Sequence, residues 1–232
     1  MILVLGHGEL TGANSFGRQA LVAAAPALLA LLLGCSGQRA NLRPARAPEK
    51  AISQTSGWTD LLKTVPDGRA VTGEWVLEDG ALKVDDTAAA RFVFPYEPPA
   101  EYDFLVEFTL SAPAGCAAQL VSKDGTPFAW SMNAGRPPRC RLEDIDGHSV
   151  SGNPTLRAYE FQAGKRYVSV VSVRNDRVLC TINGEALVEF RTDYSNLSRN
   201  PKWDTPDELC LGVGAWNGPI KFHRIAVREA AR

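Results

Sequence analysis

The stretch Gly164–Phe190, GKRYVSVVSVRNDRVLCTINGEALVEF, constrains the fold more than any other part of the chain. Tyr167–Val173 is rich in β-branched residues, which pack well on a pleated surface, and no helix cap precedes it. Asn175-Asp176 supplies residues that tolerate left-handed backbone angles. Arg177–Ile182 forms a second strand-like run. Asn183-Gly184 is the strongest short hairpin signal, because a type I′ turn needs positive φ at both central residues. Ala186–Phe190 then returns as a third strand. This is an antiparallel meander, and it makes the fold all-β.

The rest of the chain agrees. Glu74–Leu77 and Ala81–Val84 flank Asp79-Gly80, a second hairpin signal. Arg91–Phe94 is a short strand stopped by Pro95. In Tyr102–Leu110, the side chains of Tyr102, Phe104, Val106 and Phe108 share one face. Ala117–Val121 and Thr126–Met132 flank Asp124-Gly125. Arg139–Ile145 reads as a polar strand, followed by an Asp146–Pro154 loop. Leu156–Phe161 leads into the meander. Asp193–Asp207 is a long polar connection holding Trp203. Leu209–Gly214 and Ile220–Val227 close the domain, and a slip in apolar phase between Phe222 and Ile225 predicts a bulge. Many short strands with regular turn signals predict a β-sandwich or jelly roll.

The N-terminal part reads differently. Ala20–Leu33 is an apolar run of signal-peptide length that follows Arg18 and ends in Leu32-Leu33-Gly34-Cys35. It resembles a bacterial lipobox. That implies a lipoprotein signal peptide over residues 1–34, lipidation of Cys35 and a membrane anchor at the cell envelope. Ser36 after the cysteine resembles outer-membrane sorting in a bacterium with two membranes. The alternative is an ordinary cleaved signal peptide with Cys35 incidental. Residues 35–56 read as a flexible tether and residues 57–232 as the sandwich domain. Export permits disulfides, and Cys116, Cys140, Cys180 and Cys210 allow three connectivities. Small buried thiols are the other reading. A net charge of −1 gives no support to nucleic-acid binding.

The order of the features resembles the concanavalin A-like, laminin-G-like domain called DUF1080, the 3-keto-disaccharide hydrolase-like family. Gly57-Trp58-x-x-Leu61-Leu62 is similar to its opening, and Trp75-x-x-x-Asp79-Gly80-x-Leu82 to its first hairpin. Tyr102-Asp103-Phe104-x-Val106-x-Phe108 resembles its long strand. Asn183-Gly184 falls at its turn, and Phe222-His223-Arg224-Ile225 resembles its closing strand. The resemblance covers Gly57 to Glu229 and implies a concanavalin A-like antiparallel β-sandwich. The centre departs from the family's pattern. Gly115–Ser122 reads GCAAQLVS without the family's arginine. Arg139–Asp146 reads RCRLEDID without its tyrosine–glutamate pair.

Glu143, Asp144, Asp146 and His148 are the densest group of acids, bases and metal ligands. Glycosidases need two carboxyls, about 5–5.5 Å apart when retaining and about 6.5–9.5 Å apart when inverting. On a regular strand Glu143 and Asp144 point to opposite faces. Glu143 then shares a solvated face with Arg141 as an ion pair. Asp144, Asp146 and loop carbonyls are an oxygen-rich alternative for calcium, although no cofactor or metal is expected overall. Trp130, Trp203 and Trp216 are candidate sugar platforms, with core packing as the alternative for each. Trp58 and Trp75 are assigned to the core, and His223 to a structural role.

The sequence thus carries two functional expectations. The first is a non-catalytic carbohydrate-binding or surface-interaction module. It would engage an envelope glycan through Trp130, Trp216, Arg141 and Glu143. The second, implied by the resemblance, is a 3-keto-disaccharide hydrolase-like enzyme with Glu143, Asp144 or Asp146 as acid or base.

Overall fold

In the computed structural model, which describes residues 57–231, three tight turns sit on the Asp-Gly and Asn-Gly pairs. Asp79 and Gly80 have φ of 54° and 70°, Asp124 and Gly125 of 49° and 84°, Asn183 and Gly184 of 52° and 83°. Positive φ at both central residues is the type I′ geometry, whose twist matches that of the flanking strands. These turns join β3 (Trp75–Glu78) to β4 (Ala81–Val84), β7 (Cys116–Lys123) to β8 (Thr126–Ala134) and β12 (Arg177–Ile182) to β13 (Glu185–Arg191). The turn between β11 (Arg166–Arg174) and β12 is built otherwise. Neither Asn175 nor Asp176 takes positive φ. The Tyr194 hydroxyl instead lies 2.5 and 2.9 Å from the Arg174 and Arg177 carbonyls that flank the turn.

The remaining strands are β1 (Thr59–Asp60), β2 (Arg69–Thr72), β5 (Ala90–Val93), β6 (Tyr102–Leu110), β9 (Arg139–Leu142), β10 (Arg157–Ala158), β14 (Gly212–Trp216) and β15 (Ile220–Glu229). They form two antiparallel sheets. The first has the order β13-β12-β11-β6-β15-β4-β3, with β1 also on β15, and the second β10-β9-β8-β7-β14-β5-β2. This is an all-β two-sheet sandwich of the concanavalin A-like, jelly-roll kind. The meander read from the sequence forms one edge of the first sheet. The register of β15 against β6 shifts between Phe222 and Arg224, at the expected bulge.

Alternation fills the space between the sheets. Tyr102, Phe104, Val106, Phe108 and Leu110 of β6 face Phe128, Trp130 and Met132 of β8 across one apolar cluster. A polar pin crosses it. The Gln119 amide donates to the Phe104 carbonyl (2.9 Å), and the Ser169 hydroxyl donates to Gln119 Oε1 (2.6 Å). Trp130 Nε1–H in turn donates to the Ser169 hydroxyl (3.2 Å). Buried polar groups that satisfy one another cost little and fix the register of the two sheets.

The free-thiol reading of the cysteines holds, and the core assignment of Trp58 is corrected. No disulfide forms among the described residues. Cys116, Cys140 and Cys180 are buried free thiols and Cys210 is a half-buried one. Burial pushes Cys116 and Cys140 up to about 12, so they serve as small apolar fillers. Trp58 is not in the core. It is half-buried, and the guanidinium of Arg228 lies 4.5 Å from its ring centre. Cys35 and the lipobox lie outside the described residues. No helix among the described residues is long and apolar enough to cross a membrane.

Candidate functional site on the outer face of the second sheet

Strand β9 pairs with β8, Trp130 opposite Leu142 and Ser131 opposite Arg141. Trp130 and Leu142 point into the core. Ser131 and Arg141 therefore point to the outer face. The strand ends at Leu142, yet the Glu143 amide still donates to the Ala129 carbonyl (2.8 Å), which keeps Glu143 on that outer face. Asp144 then takes φ of 53° and leaves the extended path.

The outer face is not bare. Residues 193–210 cross it, and the short 3-10 turn Pro201–Trp203 seats Trp203 on the sheet. Trp203 is buried in a second cluster with Cys116, Ala118, Leu120, Ala129 and Ala134, and Trp216 packs against its edge. The two indoles meet at 6.2 Å and 78°, a T-shaped contact. Lys202 Nζ lies 5.7 and 6.0 Å from the Trp203 and Trp216 ring centres.

Beneath this turn runs an ionic chain. Arg141 lies 3.0 Å from Glu143 Oε1, and Lys202 Nζ lies 3.2 Å from Glu143 Oε2. Glu143 is fully buried and Arg141 nearly so. The sequence placed this pair on a solvated face, and the crossing segment is what removes it from water. A buried carboxylate needs both cations, because desolvation of an unpaired charge is costly. Several polar atoms here still lack hydrogen-bond partners: Ser131 Oγ, Arg141 Nε, Glu143 Oε1 and Trp203 Nε1. The Arg141 contact to Oε1 is ionic but not aligned as a hydrogen bond.

Asp144 is half-buried beside them. Burial, then the charge of Glu143, raises its carboxyl above the usual range, against the pull of Asn200, Lys202 and Arg141. The two carboxyls thus sense one another. Strand alternation separated them only on the assumption that the strand continued, and the left-handed backbone at Asp144 breaks that alternation.

The other sequence candidates scatter. Trp130 is fully buried in the core, so it is no sugar platform. Trp203 is buried under its own segment. Trp216, at the end of β14, keeps a partly exposed ring. Asp146 and His148 are exposed on the following turn. No group of three or more His, Cys, Asp or Glu side chains among the described residues is placed to hold a metal ion. His223 sits at the β15 bulge. Its Nδ1 accepts from Arg166 (3.1 Å), so its Nε2–H donates to Thr109 (2.9 Å). Burial and Arg166 lower its pKa, and the role is structural. Sequence reasoning missed Lys202 and Ser131 altogether. A cleft of about 300 Å³ opens at a different place, between Asp67, Arg69, Val93, Pro95, Glu97, Asp207 and Cys210.

Trp216 offers a partly exposed flat ring with the Lys202 ammonium 6.0 Å from its centre, and the Lys202 charge also reaches Asp144. No family model matches the chain. No curated protein matches it either. Solved structures do. A carbohydrate-binding module, CBM66 from Bacillus subtilis, aligns at 10% identity and a TM-score of 0.51 over 70% of this chain and 95% of its own. A putative glycosyl hydrolase from Parabacteroides distasonis aligns at 15% identity and 0.51, over 75% and 94%. A Crh5 transglycosylase solved in complex with NAG aligns at 9% identity and 0.54, over 75% and 83%. The likeness is one of fold. This chain shares its sandwich with carbohydrate-binding modules and with glycoside-processing enzymes.

Proposed function

We propose that the domain interacts with carbohydrate through the outer face of its second sheet, at the edge formed by Trp216, Lys202 and Asp144. The observation that carries this reading is the partly exposed Trp216 ring with the Lys202 ammonium 6.0 Å from its centre. A sugar stacks its C–H face on such a ring and gives its hydroxyls to the polar neighbours. The solved structures that share the fold support the carbohydrate class, by analogy of fold.

Binding and cleavage are the two forms of this reading. Two of the three relatives above bear the names of glycoside-processing enzymes, which leans toward cleavage. So does Asp144, a carboxyl that keeps its proton to higher pH beside a second, ion-paired carboxylate, as a general acid must. In that form Asp144 protonates the leaving oxygen. The sealing of Glu143 speaks for binding alone, because a second catalytic carboxyl has to reach the substrate. While Pro201–Trp203 covers the face, Arg141 holds Glu143 and is closed to ligand. The lipid anchor at Cys35 belongs to the same proposal and would place the domain at the cell envelope.

An oligosaccharide panel assayed for binding, alongside 3-keto-glycosides assayed for hydrolysis, tests the proposal. Binding without turnover, or turnover lost in Asp144→Asn, separates the two forms. Neither binding nor turnover on any glycan would overturn both.

A further inference from the structure

Resting on the carbohydrate reading above, we propose that the Asn200–Asp204 turn is an internal occupant of the sugar face. Trp203 takes the place of a pyranose ring, and a bound glycan lifts the turn away.

The floor beneath Trp203 is built from small residues in register. Arg141 pairs with Ser131, Ser131 with Ala118 and Ala118 with Gly214, a line across β9, β8, β7 and β14. A strip this flat accepts a ring laid against the backbone. Glycine in a central strand often marks such a close approach. The polar end of the same strip is unfinished. Ser131 Oγ, Arg141 Nε and Glu143 Oε1 are buried there without hydrogen-bond partners, and Trp203 Nε1 adds an unanswered donor from above. A permanent core leaves few such groups, because each is costly. A hydroxyl-bearing ring would answer both the donors and the acceptors, which an indole cannot.

The turn is also attached so that it can move. Its backbone bonds are its own: Trp203 N–H donates to Asn200 and Asp204 N–H to Pro201. Among the described residues no backbone hydrogen bond joins residues 200–204 to either sheet. The flanks are pinned firmly. Leu197 bridges Ile145, and Ser198 N–H donates to the Asp144 carbonyl (3.0 Å). The buried Arg199 donates to the carbonyls of Val121 and Glu208 (3.0 Å each). On the far side the Ser122 hydroxyl donates to the Leu209 carbonyl (2.7 Å). Between these pins the turn is held by the packing of Trp203 and by two side-chain ties, Lys202 to Glu143 and Arg91 to the Asp204 carbonyl (2.8 Å). Lifting it exposes Trp216, Ala118, Gly214, Ser131 and the Arg141–Glu143 pair together.

The test measures affinity for neutral hexasaccharides of glucose, galactose and N-acetylglucosamine, with acrylamide quenching and amide exchange of the turn. Arg91→Ala, at the β5 end of the same face next to Gly214, unties the turn from the sheet, and Trp203→Ala removes the occupant. A ligand that needs a minor open state binds with an affinity reduced by the population of that state. Untying should therefore raise affinity about tenfold or more, and bound glycan should speed exchange at Lys202–Asp204. Trp203→Ala, if it folds, should bind at least as tightly as Arg91→Ala. Wild type and Arg91→Ala binding one glycan equally, with Lys202–Asp204 protected throughout, would overturn the internal occupant and leave the carbohydrate reading intact. No binding by any form would overturn both.

Discussion

Trp203 occupies the space a side chain at position 214 would need. A Cβ on Gly214 would lie 2.5 Å from Cζ3 of Trp203 and 2.8 Å from its Cε3. Real Cβ contacts are not that short, so a ring and a β-carbon cannot both be there. Gly214→Ala should displace the indole or overpack the face, with a loss of about 1–3 kcal/mol in denaturant unfolding. Tryptophan emission should shift to the red as Trp203 meets water. Unchanged stability together with unchanged emission would show that Trp203 is not seated on β14.

Asp144 gives a pH dependence with a definite sign. Its folded carboxyl titrates above the unfolded value, through burial and the Glu143 charge. The folded state therefore binds the proton more tightly. The contribution to stability is complete below the unfolded pKa of about 3.9 and is lost as pH rises through the folded value. Asp144→Asn cannot ionise. Its stability relative to wild type should increase as pH is raised from about 4 to 7. A constant difference across that range would mean that burial and the neighbouring charges do not raise the Asp144 carboxyl.

Gly184 tests the meander. Its φ is 83°, and a β-carbon there would meet no atom within 4 Å, so any penalty is one of backbone strain alone. Gly184→Val should cost about 1–3 kcal/mol. An unaltered melting temperature would argue against the type I′ turn.

The anchor is tested separately. Expressed in a bacterium, the full chain should partition into detergent, and Cys35→Ala should release it or leave it unprocessed. A soluble wild-type protein that begins at another residue would contradict lipidation.

What the sequence made legible was local. Period-two alternation in β6 and the demand for positive φ at Asp79-Gly80, Asp124-Gly125 and Asn183-Gly184 placed the hairpins. Phase slip placed the β15 bulge. What it hid was long-range. Glu143 between Arg141 and Asp144 looks like a solvated charge run until residues 193–210 are laid over it, and sequence offers no register for that contact. Trp203, in a polar connection, was open between sugar platform and core packing for the same reason. Trp130, flanked by Ala129 and Ser131, gave no sign of which face it was on, and pairing with Leu142 decides it. One signal was available. Ala118 on one strand and Gly212-x-Gly214 on another are small residues where strands usually carry bulk, and they mark a face that something approaches closely.

The central claim is that carbohydrate meets this protein at the outer face of the second sheet. Indole N–H resonances report on it directly, since the chain has five tryptophans spread over distinct sites. On titration with a hexasaccharide that binds, the Trp216 and Trp203 signals should move together. Trp58, on the first sheet, and Trp130, in the core, should stay in place. Shifts at Trp58 with none at Trp216 or Trp203 would contradict the account.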